Sequence, residues 1–173
     1  SDIPDHVAAI DLLGNAKVLC IGDLMLDRFV AGDVERISPE APIPVFRISG
    51  ETKMLGGAGN VARNLSALGA STEFIATIGG DEAAADVKKL FRGAPAITPH
   101  LILDKARSTS IKTRFVAAHQ QMMRADRETI LPLSPKKQQE VLDLAKEALK
   151  SCGVVVLSDY GKGVLTPSGV EDI

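Results

Sequence analysis

Two short, almost unbroken apolar runs constrain this chain most. Lys17-Val18-Leu19-Cys20-Ile21 ends in Gly22-Asp23, and Val154-Val155-Val156-Leu157 follows Gly153. A strand with one wet face alternates polar and apolar side chains. A run that is apolar at successive positions is covered on both faces. Between these runs lie segments with helical spacing. Residues 58–68 place Val61, Leu65 and Leu68 on one face, with Gly69 as a stop. Asp81 can cap a helix whose buried face carries Ala84, Val87 and Phe91, with Gly93 ending it. Ser134-Pro135 starts a longer helix striped by Val141, Leu142, Ala145, Ala148 and Leu149. Further strands are expected at 71–78 and 97–103. Strands alternating with helices imply right-handed βαβ units, so the expected class is α/β, a three-layer α/β/α parallel sheet.

Two stretches do not fit that sheet. Residues 28–33 and 43–48 alternate polar and apolar, and flank Ser38-Pro39-Glu40-Ala41-Pro42-Ile43-Pro44, whose prolines forbid a helix. Residues 108–116 and 120–124 alternate again and fit a hairpin. Together, segments near 28–48 and 108–125 are expected to form one small antiparallel sheet apart from the main one. Phe29, Val45, Phe46, Phe115 and Val116 cannot all point into so thin a layer, so an apolar face and self-association through it are expected. Thr166-Pro167 reads as one more helix start. A helix from 167 to 173 is too short to close a domain, so the expectation is that partner strands come from a continuation of the chain or from another chain.

The formal net charge of −2 argues against general nucleic-acid binding, and 3% aromatic residues without Trp leave little for base stacking. No apolar run approaches the roughly 18 residues that span a membrane. The start, Ser1-Asp2-Ile3-Pro4-Asp5-His6, has no secretory pattern. Cys20 and Cys152 read as buried reduced thiols in strands or strand starts, too few and too far apart for zinc. The expected compartment is the cytoplasm. His6, His100 and His119 are scattered and fit surface or structural roles.

The chemistry-bearing feature is Gly56-Gly57-Ala58-Gly59-Asn60-Val61-Ala62. Glycines before a helix let backbone approach a ligand, and free N–H groups at the helix start favour oxygen-rich or anionic groups. Asn60 can both donate to and accept from a sugar hydroxyl. A dinucleotide fingerprint, Gly57-x-Gly59-x-x-Ala62 with Asp81 as ribose acid, is the rival reading. It belongs after the first strand, which here leads into Gly22-Asp23 instead. A plain helix-start turn is the third.

Gly56-Gly57-Ala58-x-Asn60-x-Ala62, then Gly69 and Gly79 at their spacings, resemble the first signature of the ribokinase-like carbohydrate kinases, the phosphofructokinase-B group. Gly79-Gly80-Asp81 resembles that family's next glycine–aspartate turn. Ile21-Gly22-Asp23-Leu24-Met25-Leu26-Asp27-Arg28, Arg36-Ile37-Ser38-Pro39-Glu40-Ala41-Pro42-Ile43-Pro44-Val45 and Leu157-Ser158-Asp159-Tyr160-Gly161-Lys162-Gly163 look like the D-glycero-β-D-manno-heptose 7-phosphate kinases. In many bacteria such a kinase is fused to an adenylyltransferase in a bifunctional ADP-heptose synthase. The resemblance, from about residue 15 onward, implies a ribokinase-like fold with the small sheet as a lid and dimer contact. It implies ATP and Mg²⁺ as cofactors and phosphorylation of heptose 7-phosphate at C1, feeding lipopolysaccharide core synthesis. It also implies that the groups near Mg–ATP, with the catalytic aspartate of a Gly-Ala-Gly-Asp turn, fall beyond residue 173. These 173 residues alone are therefore expected to lack kinase activity.

On the same basis Asp27 sits where the family grips substrate hydroxyls. Asp23 either does the same work or holds the turn through backbone hydrogen bonds. Gly56, Gly57 and Asn60 fall in the signature. Arg114, with its planar fork, is the preferred ligand for the 7-phosphate, and Arg36 is a weaker candidate. Asp159 and Lys162 follow a strand's carboxyl end, where open α/β sheets bind ligands. There Asp159 can meet sugar or a metal-bound water and Lys162 a phosphate, or both can simply form a turn. The other readings are a kinase for a different sugar or sugar phosphate, and a sugar-phosphate-binding or dimerising module without catalysis.

Overall fold

The computed structural model describes residues 12–173, so His6 lies outside the described residues. Two four-stranded sheets form the frame. The main sheet contains β1 (Lys17–Gly22), β4 (Ser71–Ile78), β5 (Ile97–Leu103) and β8 (Val154–Ser158), in the order β5-β4-β1-β8. Every pairing in it is parallel. Helices α1 (Ala58–Ala67) and α2 (Glu82–Arg92) cover one face, where Cys20, Ala62, Phe74, Val87 and Phe91 pack together. Helix α3 (Pro135–Leu149) covers the other, against Leu19, Ile21, Ile75 and Ile102. A short helix α4 (Pro167–Glu171) follows, capped by Thr166, whose Oγ1 accepts from the Gly169 N–H at 3.1 Å.

The caps expected from sequence form. Asp81 accepts from the Ala84 N–H, and Ser134 from that of Lys137. Helix α1 buries Ala58, Gly59 and Ala62, so its buried stripe is centred on small residues, and Leu68 is 51% exposed. Gly59 explains the shift. A Cβ there would stand 2.6 Å from the Leu24 side chain and 3.0 Å from Leu55 Cβ, so glycine lets the helix pack closely on these two side chains, which belong to the other sheet.

The second sheet corrects the expected antiparallel lid. It comprises β2 (Leu24–Ile37), β3 (Pro44–Gly57), β6 (Ser110–Ala117) and β7 (Gln120–Arg127), in the order β3-β2-β6-β7. The outer pairings are antiparallel, but β2 and β6 run parallel, so the sheet is mixed. The reason is topological. The two hairpins lie far apart in sequence and both leave the main sheet in the same direction. Its strands also extend past the expected segments, because β2 starts directly after β1 and β3 runs into α1. The proline-rich segment is the turn between β2 and β3, closed by the Ser38 N–H donating to the Ile43 carbonyl at 2.8 Å.

Strand β8 is the second correction. Its apolar run suggests burial on both faces, yet Val154, Val155 and Leu157 are 53%, 36% and 39% exposed. It is an outer strand, paired only with β1 among the described strands. Cys152 precedes it in a turn and is half-buried, whereas Cys20 lies fully inside β1. Burial pushes the Cys20 thiol up to about 12. No helix among the described residues is long and apolar enough to cross a membrane.

Candidate functional site

From β1 the chain winds outward through α1 to β4 and through α2 to β5. It then returns by α3, on the opposite face, to β8 on the other side of β1. The winding direction therefore reverses at β1. In open α/β sheets the crevice at the carboxyl ends of the strands flanking such a reversal is where ligands bind. Gly22-Asp23 and Ser158-Asp159 lie there, and the Asp23 N–H donates to the Ser158 carbonyl at 3.1 Å. A Cβ on Gly22 would stand 2.0 Å from that carbonyl, so the two strand ends meet in backbone contact.

Asp23 decides between its two readings. The residue is 1% exposed. Its Oδ2 accepts from the N–H groups of Tyr160 and Lys162, both at 2.9 Å, and its Oδ1 from that of Val164 at 3.2 Å. A carboxylate so engaged organises the loop after β8 and has no free face for a sugar hydroxyl, which corrects its assignment as a substrate ligand. Arg107, which sequence reasoning passed over, grips the same loop from outside. Its Nη1 donates to the Lys162 carbonyl at 3.1 Å and its Nη2 to the Leu131 carbonyl at 2.7 Å.

Asp27 lies within β2, not in a loop. In the register it stands beside Lys112, and Phe29 beside Arg114, so all four share one face of the lid. Arg114 Nη1 donates to Asp27 Oδ1 at 2.7 Å, and its guanidinium carbon lies 5.1 Å from the centre of the Phe29 ring. One wall of the carboxylate is Gly56, where a Cβ would stand 2.3 Å from Asp27 Oδ2. Gly57 follows with φ 56° and ψ −132°, and a Cβ there would stand 2.4 Å from the Asp23 carbonyl. That turn aims the start of α1, which has no side-chain cap, and Asn60 is exposed in its first turn. Asp27, Gly56, Gly57 and Arg114 are thus neighbours, with Asn60 one turn of helix away.

The other candidates are placed differently. Lys162 Nζ lies 2.9 Å from Glu128 Oε2. Asp159 is exposed, and its Oδ1 accepts from the Gly161 N–H at 2.8 Å, a local turn. Arg36 sits exposed near the distal end of β2, nine residues beyond Asp27. Asp81 is no ribose acid. Its carboxylate caps α2 and takes hydrogen bonds from the Thr109 N–H at 2.9 Å and hydroxyl at 2.7 Å. Burial raises its pKa, but those bonds, the Ala84 N–H and the Arg127 charge together leave it lowered. His100 pairs with Glu73 at 2.6 Å on the α3 side of the sheet, and His119 forms the β6–β7 turn with φ 68°. Among the described residues no group of three or more His, Cys, Asp or Glu could hold a metal ion.

Lys112 and Glu128 also escaped the sequence reading. Lys112 reaches Asp126 at 2.9 Å and Glu128 at 3.8 Å. The period-2 spacing of Lys112 and Arg114 was the available signal, since a strand puts both on one face. On the reverse face of the lid, a cavity of about 50 Å³ is ringed by Arg28, Lys53, Asp86 and Arg127 over Leu26 and Ile111. Arg28 is paired there with Glu51 and Lys53 with Asp86, so this cavity belongs to the seam between lid and α2.

The chain is 48% identical over 167 residues to the bifunctional protein HldE of Acidiphilium cryptum, covering 96% of this chain and 34% of that protein. It is 52% identical over 153 residues to the HldE of Rhodospirillum rubrum, covering 88% and 31%. The chain thus spans about a third of the length of the curated relatives it matches. In fold it is similar to the phosphofructokinase-2 from Escherichia coli in complex with fructose-6-phosphate, with TM-score 0.62, 18% identity, and coverage of 90% of this chain and 48% of that one. The same Escherichia coli enzyme in complex with substrates and products gives TM-score 0.60 at 19% identity, covering 83% and 44%. The sequence pattern of the pfkB family carbohydrate kinases matches residues 15–167, and the chain belongs to that family.

Proposed function

We propose that this chain supplies the sugar-phosphate-binding part of a kinase that phosphorylates D-glycero-β-D-manno-heptose 7-phosphate at its C1 hydroxyl, giving the 1,7-bisphosphate. The observation that carries the reading is the Asp27–Arg114 pair against Gly56, at the mouth of the crevice where the winding reverses. Asp27 accepts hydrogen bonds from sugar hydroxyls. Arg114 commits one N–H to Asp27 and keeps further donors of its planar fork for phosphate oxygens. Phe29 and Asp27 together hold the guanidinium in place, so little side-chain freedom is lost on binding. Gly56 and Gly57 let the substrate approach backbone, and the first turn of α1 has no side-chain cap, so its N–H groups after that of Ala58, which donates to the Asp23 carbonyl at 3.0 Å, are offered to substrate oxygens.

The phosphoryl group would come from ATP, with Mg²⁺ to neutralise its charge. The candidate carboxylates described above do not fit a metal or nucleotide site. Asp23 is filled by backbone N–H groups, Asp27 is paired with Arg114, and Asp159 is turned into its own loop. On this proposal the residues that would hold ATP and Mg²⁺ belong to the part of the relatives that this chain does not span. The 48–52% identity to HldE proteins and the heptose-kinase-like stretches at 21–28, 36–45 and 157–163 favour heptose 7-phosphate over other sugars. The proposal includes a homodimer through the lid, whose Ile37, Ile43 and Ile48 are 63%, 55% and 62% exposed.

The test is ADP production by a protein of the relatives' full length carrying this sequence, offered a panel of sugars and sugar phosphates. Heptose 7-phosphate is expected to give the highest kcat/KM. Preference for another sugar phosphate would keep the kinase and overturn the substrate. Turnover indifferent to Asp27→Asn would remove the site.

A further inference from the structure

Among the described residues, two ion pairs join the lid to the body of the molecule. On the reverse face Lys53 of β3 meets Asp86 of α2 at 2.7 Å, over a seam already packed by Leu26, Leu55 and Ile111. On the Asp27 face the contact is Lys162 with Glu128 at 2.9 Å, and the two side chains are 14% and 20% exposed. Glu128 directly follows β7 and also lies 3.8 Å from Lys112 of β6, so it gathers the outer hairpin of the lid at one point. Lys162 is presented by a loop that is clamped twice. Asp23 takes three of its N–H groups from within, and Arg107 holds the Lys162 carbonyl and the Leu131 carbonyl from without.

We infer that Lys162–Glu128 is a latch fixing the outer hairpin of the lid, which carries Arg114, in place beside Asp27, and that Asp23 and Arg107 are the positioning residues that aim it. This reassigns Lys162, whose place at a strand's carboxyl end suggests a phosphate ligand. Its ammonium is largely buried against a carboxylate of the lid, and its backbone is fixed at both N–H and C=O. That backbone geometry serves a fixed strut rather than a group that must reach out to a ligand. Asp23 reads the end of β1 and the loop after β8 together, so the crevice floor and the lid angle are set by one carboxylate. The inference does not depend on which sugar is bound.

Hydrogen exchange of the 173-residue chain, followed peptide by peptide, tests it. Lys162→Met and Glu128→Gln are each expected to speed exchange of β6 and β7 at least about fivefold, since removing one partner of a largely buried pair costs upwards of about 1 kcal/mol. Exchange of β4 in the core should stay unchanged. The double variant should be no faster than either single, because one contact is lost in all three. Asp23→Asn added to Lys162→Met should loosen residues 159–164 without further loosening the lid. Arg107→Met provides the same comparison if that variant does not fold. Unchanged lid exchange in both single variants, additive effects, or equal acceleration of β4 would overturn the latch. So would a Lys162→Met that weakens binding of heptose 7-phosphate but not of heptose while lid exchange stays as before, because that is the behaviour of a phosphate ligand.

Discussion

Arg114 and Asp27, 87 positions apart in sequence, meet at 2.7 Å because β2 and β6 run parallel and in register. An antiparallel partner would carry the arginine's successors away from the crevice. The parallel pairing instead lays Lys112 and Arg114 beside Asp27 and Phe29, all on one face. The lid's topology is therefore what brings these four side chains onto one face.

Gly57 tests the turn that delivers α1. Its φ of 56° with ψ of −132° is open to glycine and strained for other residues, and a Cβ would also strike the Asp23 carbonyl. Gly57→Ala should cost at least about 1–3 kcal/mol, lowering Tm by about 2–4 °C per kcal/mol. Thermal unfolding followed by circular dichroism checks this. An unchanged Tm would mean the turn relaxes freely and does not fix the helix start.

Asp81 tests the joint between α2 and the base of β6. Its carboxyl lies below the ordinary 3.8 in the folded chain, so its ionised form binds more tightly there than in the unfolded chain. The stability it contributes is fully present above that ordinary value and is lost as pH falls through the lower folded value. Asp81→Asn keeps one oxygen for the Ala84 N–H but turns an amide donor toward Thr109. It should destabilise the chain by about 1–3 kcal/mol near neutrality and flatten the loss of stability below pH 4. Urea midpoints at pH 6 and pH 3 measure both effects. A variant with the full acid sensitivity of the parent would assign that sensitivity elsewhere.

Much of this was legible in sequence, for particular reasons. The β4 and β5 runs are found at their observed bounds because glycines and a helix cap punctuate them. Asp81, Ser134 and Thr166 announce their helices through local chemistry that needs no tertiary context. The parallel β2–β6 pairing was hidden because alternation reveals a strand's two faces but not its neighbour or direction. Asp23 and Asp27 are four residues apart and chemically alike. Only the fold shows that one is enclosed by backbone N–H groups while the other faces Arg114. Arg107 carries no motif, since its partners are carbonyls whose positions depend on the whole chain. The exposure of β8 was misread because a run of valines looks the same at a sheet's edge as at its centre.

The lid should also be where two copies meet. Ile37, Ile43 and Ile48 expose apolar surface around the β2–β3 turn, beside the edge strand β3, whose outer side pairs with no other described strand. Sedimentation velocity across a concentration series should show a dimer that Ile43→Glu with Ile48→Glu dissociates. A monomer at every concentration, or a dimer indifferent to both substitutions, would place the contact elsewhere or remove it.

The proposed sugar-phosphate site is the Asp27–Arg114 pair. Its most direct test is calorimetric titration of the 173-residue chain with heptose 7-phosphate and with heptose. The chain should prefer the phosphorylated sugar. Asp27→Asn should weaken both ligands about ten- to a hundredfold, as expected for a lost charge-assisted hydrogen bond worth about 1.5–3 kcal/mol. Arg114→Met should abolish the preference for the phosphate while heptose binding changes less. Affinity unaltered by Asp27→Asn, or a phosphate preference that survives Arg114→Met, would contradict the account.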